Sequence, residues 1–156
     1  MNLRPLLLSL LASLLCLAAP LAAQSDTVPG SSLFTAAQIR QAIDTLPNQA
    51  SASRPLVASG HYQILVSRVR NTVGVAEEHP GVTDLYYILS GHATLRLGGH
   101  LIAPHTVSPV EVQGTRSEGY HEIELRPGMI VTVPADTPHQ IAAEGTEITM
   151  LVYKVQ

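Results

Sequence analysis

The sequence predicts an all-β chain, an antiparallel barrel or sandwich with one short helix ahead of it. From Leu56 onward, eight or so short β-branched or alternating runs recur with no helical period between them. Turn signals fall at their joins: Ser90-Gly91, Gly98-Gly99, Arg126-Pro127-Gly128 and Glu144-Gly145. At 156 residues the chain is one domain of ordinary size, long enough for a single core.

Residues 1–23 read as a secretory signal peptide. Arg4 gives a positive start, Leu6 to Leu17 is a nearly continuous apolar run, and Leu21-Ala22-Ala23 ends it with small residues. The run is short for a membrane span. Cleavage after Ala23 would remove Cys16, the only cysteine, and leave a chain with no disulfide or thiol chemistry in a periplasmic or secreted setting. It would also remove Arg4, so that 12 acidic residues face 8 of the 9 basic ones, a net charge of −4. With Lys154 as the sole lysine and no basic stripe, nucleic acid is excluded as a partner. After cleavage no membrane partner is expected either.

Residues 24–55 read as linker and helix. Residues 24–32 are polar and rich in Ser, Gly and Pro. Thr35-Ala36-Ala37-Gln38 has the spacing of a capping box and introduces Ile39, Ile43 and Leu46 at helical intervals, ended by Pro47. The helix is expected to pack on the outside of the barrel, and residues 47–55 to be loop. Residues 56–156 are the barrel, with strands over Tyr62–Val69, Thr72–Glu78, Leu85–Leu89, Ala93–Leu97, Val107–Val112, Glu122–Leu125, Met129–Val133 and Glu147–Val155. The stretch from Gly99 to Tyr120 holds Pro104, Pro109, Gly114 and Gly119 and reads as a long excursion or lid.

Chemistry gathers at Glu77-Glu78-His79-Pro80-Gly81-Val82-Thr83-Asp84. In extended backbone, residues two apart share a face, so Glu77 and His79 point together. The Pro-Gly turn lets the chain double back, and Asp84 then opens a strand on which Asp84, Tyr86 and Ile88 share a face. Val133-Pro134-Ala135-Asp136-Thr137-Pro138-His139 is a second turn that delivers His139 to a strand start. Glu77, His79, Asp84 and His139 are thus candidate ligands of one metal ion.

Glu77-x-His79-x4-Asp84-x6-Gly91 resembles the first motif of the cupin superfamily, and Gly128-x5-Pro134-x4-His139 resembles its second. The resemblance implies a double-stranded β-helix, or jelly roll, with one metal inside its mouth. Barrels of this family are often dimers, so a homodimer is an expected assembly. Here Glu77 stands where the family usually has its first histidine, and Asp84 replaces the usual glutamate. Asp136 takes a place usual for glycine, which Asp can fill in a turn.

Two imidazoles and two carboxylates would cancel a divalent charge and suit Fe, Mn, Ni, Co or Zn. With Glu77 off the ion, a two-histidine, one-carboxylate set leaves three open positions, as in non-haem iron oxygenases. Tyr86 shares the Asp84 face and is a candidate catalytic donor, and His121 a candidate acid or base. The functional expectation is an exported metal-dependent enzyme acting on a small polar molecule, with dioxygenase-type chemistry favoured among several classes. A non-enzymatic module binding a small molecule or metal is the alternative.

Overall fold

A computed structural model describes residues 30–156, and the leader expected over residues 1–23 lies outside them. Helix α1 (Ala36–Asp44) starts at the expected capping box: the Gln38 N–H donates to Thr35 Oγ1, and the Thr35 N–H donates to Gln38 Oε1 at 2.8 Å. It ends three residues before Pro47. Its Ile39, Ala42 and Ile43 pack with Leu46 over Val66, Ala52 and Leu151, which makes a small outer core.

Strand β1 (Ser51–Ala58) occupies part of the segment expected to be loop. Its Pro55 hid it, because proline cannot donate to a ladder. The strand survives because it is an edge, bonded only to β2 (Tyr62–Arg70), with a register shift between Pro55 and Val57. The first sheet continues through β13 (Glu147–Val155) and β4 (Thr83–Gly91) to β11 (Ile130–Val133), in the order β1-β2-β13-β4-β11.

The second sheet contains β10 (His121–Leu125), β5 (Ala93–Leu97), β12 (His139–Ala142), β3 (Ala76–Glu78), β8 (Glu111–Gly114) and β7 (His105–Ser108), in that order. A separate pair joins β6 (His100–Ile102) to β9 (Arg116–Glu118). The stretch from Gly99 to Tyr120 is therefore four short strands rather than an irregular lid. The run expected as one strand over Val107–Val112 is split at Pro109-Val110 into the β7–β8 hairpin.

The main core lies between the sheets. Val69, Tyr86, Ile88, Met150 and Val152 face it from the first, and Ala93, Leu95, Leu125 and Ile141 from the second. The period-two pattern decides which side each residue takes. On β13, Ile148, Met150 and Val152 face the main core while Leu151 and Tyr153 face the helix side. On β2, Ile64 and Val66 face the helix, leaving Gln63, Leu65, Ser67 and Val69 to line a cavity of about 450 Å³.

Candidate metal centre

Three local devices bring the motif residues together. Glu77 and His139 are direct partners across β3 and β12, and opposed residues of an antiparallel pair project to one face. His79, two residues after Glu77, shares its direction. The next turn is closed by the Val82 N–H donating to the His79 carbonyl at 3.2 Å, with Gly81 at φ +68°. Asp136 adopts φ +58°, and its N–H also donates to the His79 carbonyl, at 3.1 Å. The turn of the second motif is thereby tied to the turn of the first.

Glu77, His79 and His139 each offer a ligand atom within 4.8 Å of the others. The Nε2 atoms of His79 and His139 lie 3.8 and 3.7 Å from Glu77 Oε1. Asp84 Oδ2 is 3.6 Å from His79 Nε2 and 3.8 Å from His139 Nε2. Atoms each about 2.1 Å from one ion sit roughly 3.0 Å apart at right angles and about 4.2 Å apart when opposite, so the four separations fit a shared ion.

The protonation pattern fits as well. His79 Nδ1 lies 3.1 Å from the Val110 carbonyl and His139 Nδ1 lies 2.9 Å from that of Thr137. A carbonyl only accepts, so each Nδ1 carries the proton and each Nε2 turns a lone pair inward. Those carbonyls are the acceptors the sequence did not reveal, and one comes from the β7–β8 hairpin. Burial pushes His139 down from 6.5 to about 4, against the opposing influence of the Thr137 hydrogen bond and Asp84. Burial and the neighbouring Lys154 also lower His79. Both rings are neutral near pH 7. Among the described residues, His139 Nε2 and Asp84 Oδ1 are buried with no hydrogen-bond partner. An unpaired lone pair in a site only 2% exposed is what a metal ligand shows before its ion is counted.

Glu77 differs from a simple ligand. Burial raises its carboxyl from 4.5 to about 7, with Lys154 opposing and Glu111 and Asp84 adding to the rise. Tyr86, in the core at 4% exposure, donates from its hydroxyl to Asp84 Oδ2 at 3.4 Å. Burial and Asp84 hold that phenol well above its ordinary value, so it acts as a donor and never as a base near neutral pH.

His121 does not join this group. It is exposed on β10, the edge strand of its sheet, with Leu97 of β5 between it and His139. Two strand spacings amount to roughly 10 Å, and His121 does not line the cavity. The structure therefore does not bring His121 to the group it was expected to serve.

Lys154 is the residue sequence reasoning passed over. It stands opposite Asp84 across β13 and β4, and its Nζ donates to Asp84 Oδ2 at 2.8 Å and to His79 Nε2 at 2.6 Å. The signal was present: Lys154 continues the inward row of Ile148, Met150 and Val152 on an apolar strand.

A scan against protein-family models and a search of curated proteins give no match. Solved structures do match. KdgF of a Halomonas species has TM-score 0.51 and 14% identity, covering 70% of this chain and 82% of its own. A cupin-2 domain protein of Rhodospirillum rubrum has TM-score 0.50 and 14% identity, with 69% and 60% covered. The DMSP lyase DddQ of Ruegeria pomeroyi has TM-score 0.52 and 20% identity, with 83% of this chain and 54% of that one covered. At these identities the likeness speaks for the fold, and with the two-sheet barrel and both motif turns in place, this chain is a cupin-fold protein.

Proposed function

We propose that the chain is an exported, metal-dependent cupin enzyme acting on a small polar molecule. The observation that carries the reading is His139 Nε2, a buried lone pair without a partner, aimed at the point where Glu77, His79 and Asp84 converge. His79, His139 and one or both carboxylates would hold a divalent transition ion. Bound there, the ion supplies Lewis acidity and open coordination positions.

The remaining residues have separable tasks. Tyr86 donates to Asp84 and fixes its carboxylate direction. Val110 and Thr137 hold the imidazole planes. Glu77, its side chain 30% exposed toward the cavity and its carboxyl at about 7, can take or give a proton to a bound molecule whenever it stands off the ion. Ser51, Ser53, Tyr62, Gln63 and Ser67 give the cavity a hydrogen-bonding wall suited to a small polar substrate. An ion with open positions would serve either dioxygenase-type chemistry or a lyase reaction, the class named for DddQ. A substrate panel run with and without oxygen divides them.

The test is elemental analysis of the purified protein prepared without oxygen. We expect about one divalent ion per chain, and His139→Ala to weaken its binding roughly 100-fold or more. Full retention of stoichiometric metal by His139→Ala would overturn the reading. Metal retained without turnover of any panel compound would leave a binding module.

A further inference from the structure

One half-buried charged group beside the site has no part in that mechanism, the Lys154 ammonium. Its position is awkward for the metal reading in an informative way. The His79 Nδ1 proton is committed to Val110, so Nε2 can only accept, and the hydrogen accepted there comes from Lys154 at 2.6 Å. The same ammonium holds Asp84 Oδ2 at 2.8 Å, on a carboxylate only 1% exposed. These are two of the four atoms the ion would need. One imidazole lone pair cannot serve an N–H and a metal together. A cation about 3 Å from a divalent ion is also strongly repelled in so dry a place. Asp84 Oδ2 itself lies only 3.6 and 3.8 Å from the His79 and His139 Nε2 atoms, within reach of the same ion once the ammonium leaves.

We propose that Lys154 is a tethered competitor for the metal site: its ammonium caps His79 and Asp84 in the metal-free protein, and a divalent ion completes its coordination only by displacing it. The fold provides both positions. The side chain is 26% exposed and lines the cavity beside Glu77 and Glu111, so it can leave the site without leaving the pocket. Capping also explains how a buried Asp84 is tolerated before any ion arrives, since a buried carboxylate needs a partner. Apparent affinity then falls by the fraction of molecules in which the ligand atoms are free.

This inference rests on the metal reading, and its test separates the two. Zn²⁺ affinity is measured at fixed pH by competition with a chelating indicator, in the wild-type chain and in Lys154→Met. We expect the variant to bind roughly tenfold or more tightly. Equal or weaker binding by a folded variant overturns the competitor role while leaving the metal site standing. Zn²⁺ binding by neither protein removes both. Losing the ammonium strips a buried carboxylate of its partner, so the wild-type chain supplies a second readout independent of the variant. Lys154 is the only lysine, and acetylation of its peptide can be followed by mass spectrometry without ambiguity. Saturating Zn²⁺ should speed that acetylation several-fold as the amine moves into the cavity. An unchanged or slower rate with Zn²⁺ bound overturns the proposal.

Discussion

Tyr86→Phe isolates what a single hydroxyl does at this centre. The ring stays in the core and only the 3.4 Å bond to Asp84 is lost. We expect a stability loss of about 1 kcal/mol in urea melts and metal affinity lower by about tenfold. A variant indistinguishable from wild type in both would show that Asp84 is fixed by other contacts. The titrating groups oppose one another in the metal-free protein. His139 is pushed down from 6.5 to about 4, so it contributes stability that is present above 6.5 and is lost as pH falls through that window. A shift of that size on a ring 2% exposed is worth on the order of 3 kcal/mol at the acid end. Glu77 runs the other way. Raised from 4.5 to about 7, it contributes stability that is present below 4.5 and is lost as pH rises toward 7. The Glu77 window overlaps that of His139 and offsets part of it, while His79, also pushed down, adds to the histidine side. Glu77→Gln should unmask the histidines, so that its thermal midpoint falls between pH 6.5 and 4.5 by several degrees more than that of wild type. A flat profile in that variant would show that His139 is not held neutral by burial.

Among the elements, the strands that could be read were those long enough to show alternation. Asp84, Tyr86 and Ile88 were placed on one face by period alone, and all three are buried, while Tyr87 between them is 37% exposed. The helix was legible from its capping box. The strands that could not be read are three residues long and set among Pro and Gly, as β6 and β9 are, or carry Pro55 on an edge, as β1 does, while β7 and β8 were read as one strand. So short a run holds too few alternations to distinguish strand from loop, and its pairing is decided by partners far away in sequence. The same limit hid Lys154, whose meaning depends on Asp84 standing opposite it in the sheet. The closing glycine of the first motif shows how tightly an element can depend on one position. Gly91 has φ +77°, and a Cβ there would collide with the Glu147 carbonyl at the start of β13. Gly91→Ala should cost roughly 3 kcal/mol or more, because backbone strain and a main-chain clash add. A loss below about 1 kcal/mol in a denaturant titration would mean the β4–β13 junction yields easily.

Across the whole molecule, the two sheets and the helix use both faces of the central strands β2 and β13. One face carries the cavity and main core, the other the helix-covered core. The cupin likeness extends to this architecture, and the centre is assembled from both sheets: Glu77 and His139 come from one, Asp84 and Lys154 from the other, with His79 in the turn between β3 and β4. Metal loading should therefore strengthen the union of the sheets. A saturating ion at about 100 times its dissociation constant adds about 2.7 kcal/mol, visible as a rise in the melting midpoint that His139→Ala abolishes. If wild type and His139→Ala shift equally, the ion is binding elsewhere. The central position of β13 carries a kinetic consequence. Its nine residues pair with β2 from Glu147↔Arg70 to Val155↔Tyr62, contacts that close very large loops of chain. No local hairpin can nucleate that ladder, so the chain must find these distant partners before its sheet has a middle. Refolding from denaturant should accordingly run over milliseconds to seconds, far slower than a helical bundle of equal size.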